Sequence, residues 1–121
     1  MSRVFLRSKI HRATVTDKRL EYEGSITLDS KLMAAADILP YEKVHVLNIT
    51  TGARLETYVI SGKSGSGQVC LNGAAARLAE KGDLVILLTY GSFEPPFDAD
   101  YQPTVVKVDY KNRITKIKKG G

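Results

Sequence analysis

One cysteine, two histidines and no tryptophan are present in this chain of 121 residues. A single cysteine, Cys70, excludes an intrachain disulfide. Set between Val69 and Leu71, it reads as a buried strand residue. With no cluster of cysteines and histidines there is no zinc set, and no metal is expected. No apolar run approaches the ~20 residues needed to span a bilayer, and the Met1-Ser2-Arg3 start lacks the apolar stretch of a secretory signal. A cytoplasmic protein with no membrane partner is therefore expected. Hydrophobic residues at 43% and charged residues at 26% suit an ordinary globular domain. The length suits one domain over residues 1–121, too short for two.

The net charge of +5 is confined to one end. Lys107, Lys111, Arg113, Lys116, Lys118 and Lys119 stand against Asp109 alone, while residues 1–104 balance. A basic end of this kind reads as a solvated, partly frayed tail over residues 111–121 rather than a nucleic-acid footprint, which spreads bases over a folded face.

The alternation of residues 3–15 predicts a strand, with Val4, Leu6 and Ile10 on one face and Arg7, Lys9 and His11 on the other. Asp17-Lys18 reads as a turn, residues 20–23 and 26–28 as short strands. Asp29 or Ser30 can cap a short helix that ends before Pro40. Residues 43–49 and 54–61 form a hairpin about Thr51-Gly52. Residues 68–71 form a strand, Asn72-Gly73 breaks it, and the alanine-rich run from Ala74 to Glu80 turns helical. Residues 84–89 read as a buried strand, and 104–108 as the last. His45, between Val44 and Val46, is read as structural. Many short strands with two small helices predict a mainly β barrel.

Gly-Ser occurs at Gly24-Ser25, Gly65-Ser66 and Gly91-Ser92, and such pairs are usually turns. Gly24-Ser25 differs because it interrupts two extended segments. A serine hydroxyl can attack the preceding carbonyl, convert the peptide bond to an ester, and eliminate to leave a pyruvoyl group in place of Ser25. Glycine before the serine leaves that carbonyl open and tolerates a strained backbone.

Lys9-x-His11, Tyr22-Glu23-Gly24-Ser25, Arg54-x-x-Thr57-Tyr58 and Asn72-Gly73-Ala74-Ala75-Ala76, in that order and at those intervals, resemble the aspartate 1-decarboxylase family over roughly residues 3–110. The resemblance implies a double-psi β-barrel with short helices and a homotetramer with sites between subunits. It also implies cleavage between Gly24 and Ser25, and conversion of L-aspartate to β-alanine for pantothenate and coenzyme A. The cofactor is then a pyruvoyl group from Ser25, with no pyridoxal phosphate.

Removing the α-carboxylate leaves electrons that no ordinary side chain delocalises, so a carbonyl must take them. By the resemblance, the substrate amine condenses with the ketone from Ser25, and Tyr58 reprotonates the carbon. A phenol of pKa ~10 keeps its proton at neutral pH and can serve as an acid. Arg54 offers a planar fork for the side-chain carboxylate that survives the reaction. Lys9 adds positive charge. Backbone N–H groups of Gly73, Ala74 and Ala75, at a helix start, suit the other substrate oxyanion. Thr57 holds the Gly24 carbonyl during cleavage, and His11, Tyr22 and Asn72 take supporting roles. In a regular strand Thr57 points away from Arg54 and Tyr58. One site then needs a bulge, a strand end or two subunits.

The alternative is a small barrel that binds nucleic acid through its basic end, with Phe93, Phe97 and Tyr101 stacking on bases. It predicts an intact chain. Maturation that requires a helper protein is a further alternative to spontaneous cleavage.

Overall fold

A computed structural model describes residues 1–120. The strands are β1 (Arg3–Thr14), β2 (Asp17–Arg19), β3 (Ser25–Asp29), β4 (Lys43–Asn48), β5 (Arg54–Gly62), β6 (Val69–Asn72), β7 (Leu84–Phe93), β8 (Thr104–Val108) and β9 (Ile114–Lys119). A short helix, α1 (Ser30–Ala36), follows β3, and a 3-10 helix (Gly73–Leu78) follows β6. The strands form one mixed sheet in the order β2-β6-β3-β5-β4-β7-β1-β8-β9. The fold is mainly β, a barrel with short helices. No helix among the described residues is long and apolar enough to cross a membrane.

Alternation sets which side faces the core. In β4, Val44 and Val46 point in while Lys43, His45 and Leu47 point out. Ile10, Ile26, Leu28, Val59, Leu71, Val85, Leu87 and Val106 join them in one cluster. Each such side chain stabilises the fold by about 1.5–3 kcal/mol when fully buried. Strict alternation fails in β1. Its pairing with β7 shifts between Leu6 and Ser8 and again between Ile10 and Ala13. Arg12 takes φ 63° at the second shift. An extra residue there lets both Ile10 and Ala13 face the core, while the first shift leaves Val4 70% exposed.

Asp29 caps α1 by accepting from Lys31 N at 2.8 Å. It also accepts from Gly65 N and Gly67 N, each at 2.9 Å, and so pins the Gly/Ser loop to the helix start. Cys70 is buried in β6.

Three expectations are corrected. Residues 20–23 are not a strand but an exposed turn, closed by Tyr22 N to Arg19 O at 3.2 Å. Asp17-Lys18, expected as a turn, begins β2, which pairs in parallel with β6. Among the described residues the basic end is not a frayed tail, because β9 pairs with β8 from Thr104–Lys119 to Val108–Ile114. The turn before it is built by Asp109, whose carboxylate accepts from Lys111 N, Arg113 N and Arg113 Nε at 2.8–2.9 Å. Ile114 then packs on the core.

Candidate active site

Ser25 opens β3 and is wholly buried. Asn72, at the end of β6, is directly opposite it in the antiparallel ladder. Its Nδ2 donates to Ser25 Oγ at 2.9 Å and to Thr27 Oγ1 at 3.0 Å. Ser25 Oγ in turn makes a long contact of 3.4 Å to the carbonyl of Glu23, which turns the hydroxyl back across the Gly24 peptide.

Gly73 closes the other side. Its φ is +61°, and a Cβ there would lie 2.5 Å from Tyr22 O and 2.6 Å from Gly24 N. Only glycine permits both the left-handed backbone and that approach. Gly24 is different: a Cβ on it would meet nothing within 4 Å, and its φ lies outside the left-handed range. The folded backbone therefore gives no steric reason for glycine at 24. What glycine offers at 24 is an unhindered carbonyl.

β5 runs parallel to β3 with Ile26 level with Val59. Carried back one residue, that register brings Ser25, the first residue of β3, level with Tyr58. The register of β5 is regular throughout, so Thr57 does face away from Arg54 and Tyr58. The Tyr58 ring stacks on Tyr41, with centroids 6.1 Å apart. Tyr22 stays on the exposed turn, with the Arg19 guanidinium 5.2 Å over its ring. The 3-10 helix begins at Gly73, and Asn72 makes no side-chain cap on it: its Nδ2 serves Ser25 and Thr27, and its Oδ1 accepts from Cys70 Sγ at 3.4 Å. Ala74 is exposed and Ala75 buried.

Arg54, Lys9 and His11 do not join this group within one chain. Arg54 is the first residue of β5, four before Tyr58 and about 13 Å from it along the strand. It lines a cleft of about 450 Å³ with Val4, Lys43, His45 and Tyr90. His45 there stacks edge-on against Tyr90 and lies 3.5 Å from Glu56. Lys9 and His11 are on β1, with β5, β4 and β7 between it and β3. β1 is an interior strand, so Lys9 is not an edge lysine. Lys9 is paired with Val105, and His11 with Lys107. The His11 Nδ1 is buried without a hydrogen-bond partner among the described residues. Burial, with Lys9, Arg12, Lys107 and Lys118 around it, lowers the His11 pKa below the ordinary imidazole value. The Lys107 charge, followed by burial and Lys116, lowers that of Lys118.

A model of the aspartate decarboxylase family matches residues 1–115. The chain belongs to that family. It is 60% identical over 115 residues to the aspartate 1-decarboxylase of Dehalococcoides mccartyi strain 195, covering 95% of this chain and 93% of the relative. It is 57% identical over 120 residues to that of Moorella thermoacetica, covering 99% and 94%. The identity is 56% over 114 residues to that of Myxococcus xanthus, covering 94% and 88%. Membership makes the chain a carboxy-lyase acting on aspartate and does not favour the nucleic-acid alternative. The rings that alternative needs are engaged with one another: Phe93 and Tyr101 pack at 5.2 Å, both against Phe5, while Arg3 covers Phe97.

Sequence reasoning gave Asn72 a supporting role where the structure makes it the direct partner of the Ser25 hydroxyl. It missed Thr27 and Tyr41. Thr27 is two residues on from Ser25 and shares its face of β3, a signal legible once the strand was drawn.

Proposed function

We propose that the chain decarboxylates L-aspartate to β-alanine and CO2, feeding pantothenate and coenzyme A synthesis in the cytoplasm, with a pyruvoyl group made from its own Ser25. The observation that carries this reading is the buried Ser25 hydroxyl, held by Asn72 and turned across a peptide against which Gly73 is fitted.

Attack of Oγ on the Gly24 carbonyl carbon breaks the Gly24–Ser25 C–N bond and forms an ester. Loss of the Ser25 Cα proton then expels Gly24 as a carboxylate and leaves a Cα=Cβ double bond. Water releases the nitrogen as ammonia, and a ketone remains at the new N-terminus. That group supplies the electron sink for decarboxylation.

The other roles fall to ordinary side chains. Thr57, next to Tyr58 on β5, holds the Gly24 carbonyl during cleavage. Tyr58, level with Ser25, delivers the proton to the substrate carbon. The N–H groups of Gly73, Ala74 and Ala75 take one substrate carboxylate, with Asn72 and Tyr22 shaping the approach. Arg54 takes the other, supported by Lys9 and His11. These three are remote from Ser25 in one chain and on different strands. They reach it from a second copy, in a homotetramer with sites between subunits, so Thr57 and Arg54 need not share a face of one strand.

Intact mass under denaturing conditions tests the reading. The expected products are a fragment of residues 1–24, about 2.7 kDa at ~110 Da per residue, and a blocked fragment of residues 25–121. The same measurement on purified chain incubated alone, then with a cell extract, reads whether a helper protein is needed. Aspartate decarboxylation by a preparation holding only the 13.3 kDa chain would overturn it.

A further inference from the structure

Leu39-Pro40-Tyr41-Glu42 is a β-turn, closed by Glu42 N donating to Leu39 O at 3.1 Å. Pro40 takes the first corner, and Tyr41 the second with φ 69°. Proline followed by a positive φ is the type II arrangement, whose second corner is normally glycine or asparagine because other side chains crowd their own backbone there. A tyrosine at that corner calls for a reason outside the turn. Core burial is not the reason, since Tyr41 is 77% exposed.

The Tyr41 ring instead packs offset against that of Tyr58, with centroids 6.1 Å apart and the planes 30° apart. The turn is mounted on β5 at the neighbouring residue: Tyr41 N donates to Val59 O at 2.7 Å, and Val59 N donates to Glu42 O at 3.0 Å. The Glu42 carboxylate fastens the turn from the other side, accepting from Leu39 N at 3.0 Å and pairing with Arg7. A ring presented on so fixed a support limits where the ring beside it can lie.

We propose that Tyr41 is a positioning residue that holds the Tyr58 ring so that its phenol is directed to residue 25. This rests on Tyr58 being the proton donor. The phenol oxygen sits at the far end of two rotatable bonds, and proton delivery depends on its place to within a fraction of an ångström. A misplacement of about 1 Å can cost about a hundredfold in rate, so partial loss of the clamp is expected to cost roughly tenfold.

The test uses matured protein, with the cut fraction of each variant counted by mass. Tyr41→Asn suits the left-handed corner, so its melting midpoint should stay level or rise while kcat falls roughly tenfold and KM changes less than about twofold. Tyr41→Phe keeps the ring and should restore kcat. In a Tyr58→Phe background, Tyr41→Asn should cost nothing more, because the two act as one unit. Wild-type kcat in Tyr41→Asn overturns the inference, as does an equal loss in Tyr41→Phe. Full kcat in Tyr58→Phe alone overturns the donor role of Tyr58 and this inference together, whereas a slow Tyr58→Phe beside an unimpaired Tyr41→Asn overturns the inference alone.

Discussion

Asn72 donates one amide hydrogen to Ser25 Oγ and the other to Thr27 Oγ1. In the proposed self-cleavage, a donor aimed at Oγ would steady the negative charge that gathers there as the hydroxyl loses its proton.

Asn72→Ala is therefore expected to slow self-cleavage. Removing a buried hydrogen bond of about 1–3 kcal/mol predicts roughly a five- to hundredfold slower cut. A time course of intact mass on freshly purified protein gives the rate, and an unchanged rate would free Asn72 of any part in the cut.

Gly73→Ala and Gly24→Ala should behave oppositely. At 73 the new Cβ meets backbone on the neighbouring segment at 2.5 Å and 2.6 Å, in a left-handed conformation, so a loss of about 2–4 kcal/mol is expected. At 24 the space is open, and stability should stay within about 0.5 kcal/mol, while cleavage slows because the methyl crowds the carbonyl under attack. Denaturant midpoints and fragment mass separate folding from chemistry.

Arg54→Lys replaces a two-pronged contact with a point charge. If Arg54 holds the carboxylate that survives, kcat/KM for aspartate should fall about ten- to a hundredfold, from ~1.5–3 kcal/mol. Preference over amino acids without that carboxylate should fall with it. Undiminished preference with kcat alone reduced would move Arg54 to the reacting end.

Acid should destabilise the fold through His11. Its folded pKa lies below the unfolded 6.5, so the unfolded chain binds the proton first. Stability present above pH 6.5 is lost as pH falls towards the lowered folded value. A melting midpoint that drops from pH 7.5 to 5.5 in the wild type, and drops less in His11→Gln, is the expected result.

The core and the strands that carry it were legible because Val44-His45-Val46 and its like alternate with period two. The Asn72-Gly73 break was legible too. What escaped depended on partners distant in the chain. Asp17–Arg19 becomes a strand because β6 is beside it, and Ile114–Lys119 does so because the Asp109 turn returns the chain against β8. In both cases local turn and charge signals were outweighed by pairing. At the site, Ser25 with Tyr58 and Asn72 follows from neighbouring strands, whereas Arg54 and Lys9 could be placed relative to Ser25 only by knowing the sheet order.

The strand order gives the cut an unusual outcome. Residues 1–24 contain β1, an inner strand between β7 and β8, and β2, an outer strand on β6. Severing the chain after Gly24 thus releases no leader peptide. On the proposed reading it would convert the folded chain into a pair of a 24-residue light piece and a heavy piece, interlocked through two separate regions of the barrel. Loss of the light piece would leave β7 and β8 without the strand between them, so for a protein cut there unfolding and dissociation would be one event, and refolding would become an encounter between two molecules.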